Sequence, residues 1–307
     1  MRILCCLNRD LASNIALNLL LPAFRNHQVC VGLTERVGQA RPHAEEPAER
    51  RQLRIAEQQL PNEVLFPLIE RASLPDDGVR YLTFAEVERY RGIRVVSLPD
   101  PNTGEGLEAI QKFRPDLILT IRYGAILKLP VIAIPRLGVL NLHSGLLPAY
   151  RGVLATFRAL MQGDPQLGCT LHYITDGTID TGPIVDTAHI AVVPGRSLLW
   201  HVLALYQPGV AVLITALQRL ESGQPLSTTV QQATEGAYYT SPSTAEWAEF
   251  SRAGWKVAQP SDLDDTARRY LPRHTDVHAQ VVQVGSGDGA AQQANAADEL
   301  PGVPASA

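Results

Sequence analysis

Short hydrophobic runs alternate with segments of helical spacing along most of the chain. The runs Met1–Leu7, Gln28–Thr34 and Asp116–Thr120 have the length and composition that predict strands buried on both faces. Between the first two runs, Asn14–Leu21 predicts an apolar helix that stops near Pro22. A β-α-β opening of this kind indicates a doubly wound, mostly parallel sheet flanked by helices.

The rhythm of strand and helix is interrupted by a charged stretch, punctuated by prolines, between Arg36 and Glu70. Within it, Ala48–Gln59 has helical spacing. We interpret residues 36–75 as a helical excursion over the sheet. Its role as a lid and the alternative of a solvated surface helix both remain open, since a charge run often marks a solvated face.

The regular pattern returns in the second half of the chain. Cys169–Thr175 and Ile184–Val193 predict two strands joined by a turn-rich loop. Leu198–Leu217 is apolar enough to suggest a membrane span, but polar residues and Pro208 lie at its centre. We therefore expect a buried helix that is kinked or broken at Pro208.

Weaker patterns follow. Thr228–Gln232 is a candidate strand. Ser243 followed by Glu246 forms a capping box and predicts the start of a helix. Asp262–Tyr270 predicts a last helix.

Composition narrows the class of protein. Of 307 residues, 45% are hydrophobic and 19% charged, as in ordinary globular proteins. The net charge of −4 gives no general electrostatic reason to expect nucleic-acid binding.

The four cysteines lack the spacing of metal-binding pairs, and we interpret them as buried thiols in a reducing compartment. Polar residues follow the first apolar run too soon for a signal peptide, so we expect a cytoplasmic protein without a membrane partner.

Candidate chemistry lies in Gly138–Gly152, which begins as a buried strand. Asn141 and His143 are two positions apart and therefore point to the same face of that strand. The carboxyl end of a buried strand is where open α/β folds place their ligands. The alternative is an Asn–His pair in the core whose polar groups bind the backbone.

The loop Thr175–Pro183 contains two carboxylates, Asp176 and Asp180. One carboxylate beside Asn141 and His143 completes a set that suits acyl transfer to a nucleophile of the substrate. The chain lacks the G-x-S-x-G motif of serine hydrolases, the H-E-x-x-H motif of zinc proteases and the G-x-G-x-x-G motif of dinucleotide-binding folds. We expect no metal.

Three motifs together resemble the folate-dependent formyltransferase family: Asn141–Gly152, Gly168–His172 and Asp176–Gly182. The family includes glycinamide ribonucleotide, methionyl-tRNA and sugar-nucleotide N-formyltransferases. The resemblance implies a Rossmann-like α/β formyltransferase fold, with a mostly parallel sheet and a small C-terminal extension. It also implies 10-formyltetrahydrofolate as the formyl donor.

By the same resemblance, Asn141, His143 and Asp180 correspond to the catalytic residues of the family. The residues that correspond to its folate pocket are Arg122, Tyr123, Gly124, Ile126, Leu127, Leu140, Thr175, Asp176, Gly177, Thr178 and Ile179. Among them, Ile126 and Leu127 are expected at an apolar wall. The implied mechanism is attack of an amine on the formyl carbon, with Asn141 and protonated His143 stabilising the oxyanion and Asp180 holding His143.

The resemblance implies a small biosynthetic amine, hydroxylamine or amino-sugar nucleotide as acceptor. Two enzymatic alternatives stay open: a hydrolase that deformylates formyltetrahydrofolate with water, and an enzyme like methionyl-tRNA formyltransferase. A non-catalytic folate or nucleotide binder is a further alternative. We expect no nucleic-acid partner and leave a homodimer open.

The predicted organisation has three parts. Residues 1–225 form the formyltransferase catalytic domain, and residues 226–272 form a small C-terminal subdomain. After Pro272 the composition turns to Gln, Ala, Gly, Asp and Pro, which predicts a disordered tail over 273–307.

Overall fold

The computed structural model describes residues 1–35, 46–232 and 235–272. The remaining residues include part of the predicted excursion and the predicted tail, which lie outside the described ranges. The strands are β1 (Arg2–Asn8), β2 (Gln28–Thr34), β3 (Arg94–Ser97), β4 (Leu117–Ile121), β5 (Val139–His143), β6 (Tyr150–Gly152), β7 (Gln166–Ile174), β8 (Ile184–Ala191) and β9 (Ala237–Tyr239). The α-helices are α1 (Leu11–Leu20), α2 (Ala48–Arg54), α3 (Phe66–Ala72), α4 (Phe84–Arg91), α5 (Gly104–Phe113), α6 (Leu129–Ile132), α7 (Ala155–Gln162), α8 (Leu198–Glu221), α9 (Thr244–Arg252) and α10 (Pro260–Ala267).

Seven strands form one sheet in the order β3-β2-β1-β4-β5-β7-β8. The first five pair in parallel, and β7 and β8 add antiparallel strands beside β5. Every residue of β4 is buried, as expected for a central strand covered on both faces. The predicted α/β fold with a mostly parallel sheet is confirmed.

Helix α1 begins earlier than the pattern predicted. It starts at Leu11 rather than Asn14, because the Asp10 side chain caps it by accepting a 2.7 Å hydrogen bond from the Ser13 N–H. The predicted start of the helix was therefore three residues too late. Asp10, the residue that caps this helix, lies two residues after the end of β1, at the carboxyl edge of the sheet.

Helix α8 crosses the core without interruption, so the predicted break at Pro208 was wrong. Tyr206 and Val210 flank the proline and are fully buried. Packing on both sides stabilises the helix more than the roughly 3 kcal/mol that an internal proline costs. Among the described residues, α8 alone is long and apolar enough to cross a membrane, and half of that apolar window is buried within this fold.

The described part of the excursion, residues 46–75, contains one continuous helical stretch. Helix α2 runs into a π-helical segment, Ile55–Leu65, which runs into α3. The helical pattern predicted only as far as Gln59 continues to Ala72, because Leu53, Ala56, Phe66 and Ile69 pack into the main core.

Described residues after 225 contribute to that core. Trp247 and Phe250 of α9 lie with their ring centroids 4.5 Å and 4.7 Å from the ring of Phe157 in α7. The capping box of Ser243 and Glu246 is confirmed. The candidate strand Thr228–Gln232 was wrong: within the described ranges, this segment makes only a single bridge, between Thr229 and Ile184.

The cysteines are free thiols, with Cys5, Cys6 and Cys169 buried and Cys30 partly buried. Burial raises the pKa of the Cys5 and Cys169 thiols to about 12. These groups therefore behave as small apolar side chains of the core, as predicted.

Candidate active site

Three elements bring the polar side chains of the candidate site together. Strand β5 carries Asn141 and His143 to its carboxyl end. Strand β7 runs antiparallel to β5 and places His172 directly opposite Asn141. The loop after β7 then brings Asp180 back to the same place. Asn141, His143 and Asp180, predicted from separate stretches of sequence, meet here.

The carboxylate of Asp180 lies at the centre of the cluster. Its Oδ1 is 3.4 Å from Asn141 Nδ2 and 3.5 Å from His172 Nε2. Its Oδ2 is 3.6 Å from His143 Nδ1 and accepts a 2.8 Å hydrogen bond from the Gly152 N–H. Oδ2 therefore faces the His143 ring and the Gly152 N–H, while Oδ1 faces the Asn141 amide and the His172 ring.

These neighbouring groups keep the carboxyl group of Asp180 ionised. Burial by itself raises the pKa of a carboxyl group, but His143, His172 and the Gly152 N–H outweigh it and lower the pKa of Asp180 to about 2. Its backbone has a φ of 56°, in the left-handed region that side-chain-bearing residues seldom adopt. The loop thus holds Asp180 in one specific conformation.

His143 is buried, and a hydrogen bond at Nε2 fixes its ring. Nε2 lies 2.7 Å from the carbonyl oxygen of Tyr150, so this nitrogen carries a hydrogen and donates it. Nδ1 faces Asp180, and only the doubly protonated ring places a hydrogen toward both oxygens. A side chain at position 145 would collide with this arrangement, since a Cβ on Gly145 would lie 2.8 Å from His143 Nε2.

Asn141 is oriented by its neighbours on both sides. Thr120 Oγ1 donates to Asn141 Oδ1 at 2.8 Å, and the amide nitrogen lies on the side of the Asp180 carboxylate, which only accepts. Asn141 Nδ2 lies 3.0 Å from His172 Nε2 and 3.4 Å from Asp180. The second contact is long for a hydrogen bond, so this amide hydrogen can turn to another acceptor.

His172 is the member of the cluster that was not among the predicted site residues. It is fully buried, and its Nδ1 donates to the carbonyl oxygen of Tyr173 at 2.9 Å. Nε2 is therefore the acceptor for Asn141 when the ring is neutral. The available signal was a lone polar ring inside an apolar strand that ends at the Asp180 loop.

The residues predicted for the folate pocket are divided between two loops that lie side by side. A Cβ built on Gly177 would lie 4.0 Å from the carbonyl oxygen of Leu127. Ile126, expected at the apolar wall with Leu127, is half exposed, and Leu127 is buried. Thr175, Asp176, Gly177 and Thr178 are exposed, Ile179 is half-buried, and Leu140 lies in the core beneath the site.

Three predicted pocket residues after β4 are held by contacts within the protein. Arg122 pairs with Asp10 and with Glu57 of the excursion, each at 2.9 Å. Tyr123 donates to the Leu98 carbonyl oxygen at 2.5 Å. The Gly124 N–H donates to Thr34 Oγ1 at 3.0 Å. The backbone of this loop is thus fixed against β2, β3 and the excursion.

Comparison with known proteins adds an independent line of evidence. Residues 89–216 match the formyl transferase family. The methionyl-tRNA formyltransferase of Kosmotoga olearia is 35% identical over 153 residues, which is 50% of this chain and 49% of the relative. That of Chlamydia pneumoniae is 39% identical over 118 residues, 38% of this chain and 36% of the relative. The chain thus spans about half or less of the length of these relatives.

A solved structure shares the fold. Glycinamide ribonucleotide transformylase 1 from Symbiobacterium toebii superimposes with a TM-score of 0.50 at 19% identity, covering 76% of this chain and 94% of that one. The matched segment, residues 89–216, contains all four side chains of the cluster. Within this segment the chain is similar to the formyl transferase family, and its fold is similar to that of the Symbiobacterium toebii structure.

Proposed function

We propose that the protein transfers a formyl group from 10-formyltetrahydrofolate to an amine of a small acceptor. Formyltetrahydrofolate is the formyl donor of the family. The observation that carries the proposal is the convergence of Asn141, His143 and His172 on the buried carboxylate of Asp180. Such a set can stabilise negative charge on a formyl oxygen while it holds a positive charge on an imidazole.

Each residue then has a defined task. The neutral amine attacks the formyl carbon, and the carbonyl oxygen becomes an oxyanion. Asn141 turns its weakly bound amide hydrogen from Asp180 to this oxygen. Protonated His143 adds positive charge beside it, and Asp180 stabilises that charge.

The reaction ends when the bond between the formyl carbon and the folate nitrogen breaks. The new carbon–nitrogen bond to the acceptor remains, and the proton lost by the amine is delivered to the departing nitrogen. Asp180 and His143 are placed to move that proton through water. The Tyr150 carbonyl oxygen keeps the His143 ring from rotating during the transfer.

The formyl donor would lie along the two adjacent loops, residues 122–127 and 175–179. A Cβ built on Gly177 would lie 4.0 Å from the Leu127 carbonyl oxygen, so backbone groups of the two loops lie near each other here. Backbone donors and acceptors at such a position suit a flat ring with polar edges. The acceptor would approach from the other side of the cluster.

The decisive experiment incubates the protein with 10-formyltetrahydrofolate, with and without candidate amines, and measures release of tetrahydrofolate. Release that requires an amine supports the proposal. Release without an amine supports the hydrolase alternative. His143→Ala and Asp180→Asn are expected to lower turnover by about two to three orders of magnitude. Unchanged turnover in both variants would refute the assignment of these residues.

Methionyl-tRNA as acceptor is a second candidate, because the matching curated relatives are methionyl-tRNA formyltransferases. The net charge of −4 argues against it, since tRNA binding depends on contacts between cationic side chains and phosphates. A parallel reaction with methionyl-tRNA decides between the acceptors. Formylation of methionyl-tRNA that falls steeply with added salt would favour this second candidate.

A further inference from the structure

We propose that Gln231, outside the matched family segment, is a positioning residue that holds Asp180 in its active conformation. The starting point is the backbone of Asp180. Its φ of 56° is sparsely populated for a residue with a side chain, so contacts elsewhere must stabilise it. The contacts of its carboxylate with Gly152 and the histidines act on the side chain and leave the backbone unexplained.

The side chain of Gln231 supplies the backbone contacts. Its Nε2 donates to the carbonyl oxygens of Asp180 at 3.0 Å and of Gly182 at 2.7 Å. An amide NH₂ group has two hydrogens, and both are used here. Gln231 therefore binds the loop on both sides of Thr181 and opposes rotation of Asp180 out of the left-handed region.

The other end of the same amide is held by Arg151. Arg151 is buried, and its Nε and Nη2 lie 3.4 Å and 3.2 Å from Gln231 Oε1. Since a guanidinium only donates and a carbonyl only accepts, this arrangement fits one orientation of the amide. Arg151 is followed by Gly152, whose N–H binds the Asp180 carboxylate. Gln231 thus connects the two segments that hold Asp180.

Gln231 itself is held by a nearby pair of backbone hydrogen bonds. Thr229 and Ile184 exchange two bonds, each 2.8 Å long. This bridge fixes the segment two residues before Gln231 against the start of β8, close to the Asp180 loop. Gln231 is therefore held in place by the neighbouring backbone as well as by its own side-chain contacts.

Two substitutions of Gln231 separate its contacts. Gln231→Leu removes all of them, whereas Gln231→Glu keeps an acceptor for Arg151 and loses both donors. We expect both variants to lower kcat by up to about 10²-fold, the scale of a misplaced catalytic group, with KM for the formyl donor changed less than about twofold. The matched control is Gln232→Leu, at the neighbouring exposed glutamine, which should leave kcat unchanged.

A double-mutant cycle distinguishes positioning from a general loss of structure. If Gln231 acts through Asp180, Gln231→Leu should add little to the loss already caused by Asp180→Asn. A further full loss in that background would overturn the inference. If Gln231→Leu does not fold, Gln231→Glu carries the same test, because it preserves shape and the contact with Arg151.

The kinetic experiment rests on the proposed function. The inference is therefore also tested by a second measurement that does not depend on activity. Carboxyl ¹³C NMR, with Asp180 assigned by its absence in Asp180→Asn, measures the titration of this group directly. In Gln231→Leu the pKa of Asp180 should rise from about 2 toward the ordinary value. An inactive wild type would refute only the proposed function. An unchanged Asp180 titration in both Gln231 variants would refute the positioning role.

Discussion

Asn141 and His172 face each other across the antiparallel pair of β5 and β7, with 3.0 Å between Nδ2 and Nε2. This contact decides how the Asn141 amide is oriented, because one hydrogen is bound to the ring and the other is left near Asp180. We expect His172→Phe to free the amide and to remove one partner of Asp180. Turnover should fall by about 10²-fold, as for a lost oxyanion donor, measured as kcat in the formyl-transfer assay.

The control for this prediction is His189→Phe. His189 is an exposed histidine on the neighbouring strand β8, outside the cluster. Its replacement should leave kcat unchanged. Equal turnover in the two variants would show that the His172 ring has no part in orienting Asn141.

The Asp180 carboxylate makes stability depend on pH. Its pKa is about 2 in the folded chain, below the ordinary aspartate value of about 3.9 that applies on unfolding. The ionised form therefore stabilises the fold above about pH 4, by about 2 kcal/mol, and this contribution is mostly lost by pH 2.

Urea denaturation of the wild type and of Asp180→Asn at several pH values tests this. The asparagine cannot ionise, so the difference in unfolding free energy between the two proteins should shrink as the pH falls from 5 to about 2. A constant difference would mean that Asp180 is not ionised beside these partners.

Gly152 links the site to strand β9. Its φ is 94°, and a Cβ there would lie 2.2 Å from the carbonyl oxygen of Tyr239. Gly152→Ala should push β9 away and draw the Gly152 N–H off Asp180. We expect the unfolding free energy to fall by about 2 kcal/mol, from strain and displacement, and kcat to fall with it.

Gly223→Ala is a matched comparison for Gly152→Ala. Its φ is also positive, at 73°, but a Cβ there meets nothing within 4 Å. It should cost only the backbone strain, about 1 kcal/mol, and leave kcat intact. If the two alanine variants lost the same stability and activity, β9 would have no part in holding the site.

Arg122 holds the excursion to the sheet. It is the common partner of Asp10, at the start of α1, and of Glu57, in the π-helical segment. Arg122→Met would leave two buried carboxyl groups unpaired, and burial already raises the pKa of Glu57. We expect a loss of about 3 kcal/mol or more in unfolding free energy, measured by denaturation.

Arg9→Met provides the comparison, because its ion pair with Glu35 is largely exposed to solvent. Exposed pairs contribute little, so this variant should lose less than about 1 kcal/mol. A similar small loss in Arg122→Met would show that the buried cluster contributes nothing to the attachment of the excursion.

The sequence determined some of these relationships directly and others not at all. Alternation along β5 was sufficient to place Asn141 and His143 on one face, because strand periodicity is local. The choice of Asp180 over Asp176 came only from the resemblance to a family. Asn141 opposite His172 depends on strand register, which a single sequence does not reveal.

Contacts between distant irregular segments were equally hidden. Gln231 lies in a stretch without regular structure, and its partners are backbone carbonyl groups that carry no sequence signal. The unbroken course of α8 through Pro208 was also missed, since tertiary burial overrode the local preference of proline. Local sequence patterns predicted the main strands and helices. The orientation of the site side chains required the three-dimensional structure.

The packing of Trp247 and Phe250 against Phe157 bears on which fragments of the protein can be expressed. A fragment ending at residue 225 would leave the aromatic face of α7 bare to water and would lack β9. An exposed apolar face of this kind promotes aggregation. Residues 1–225 and the described helices that follow them would therefore have to be expressed as a single chain.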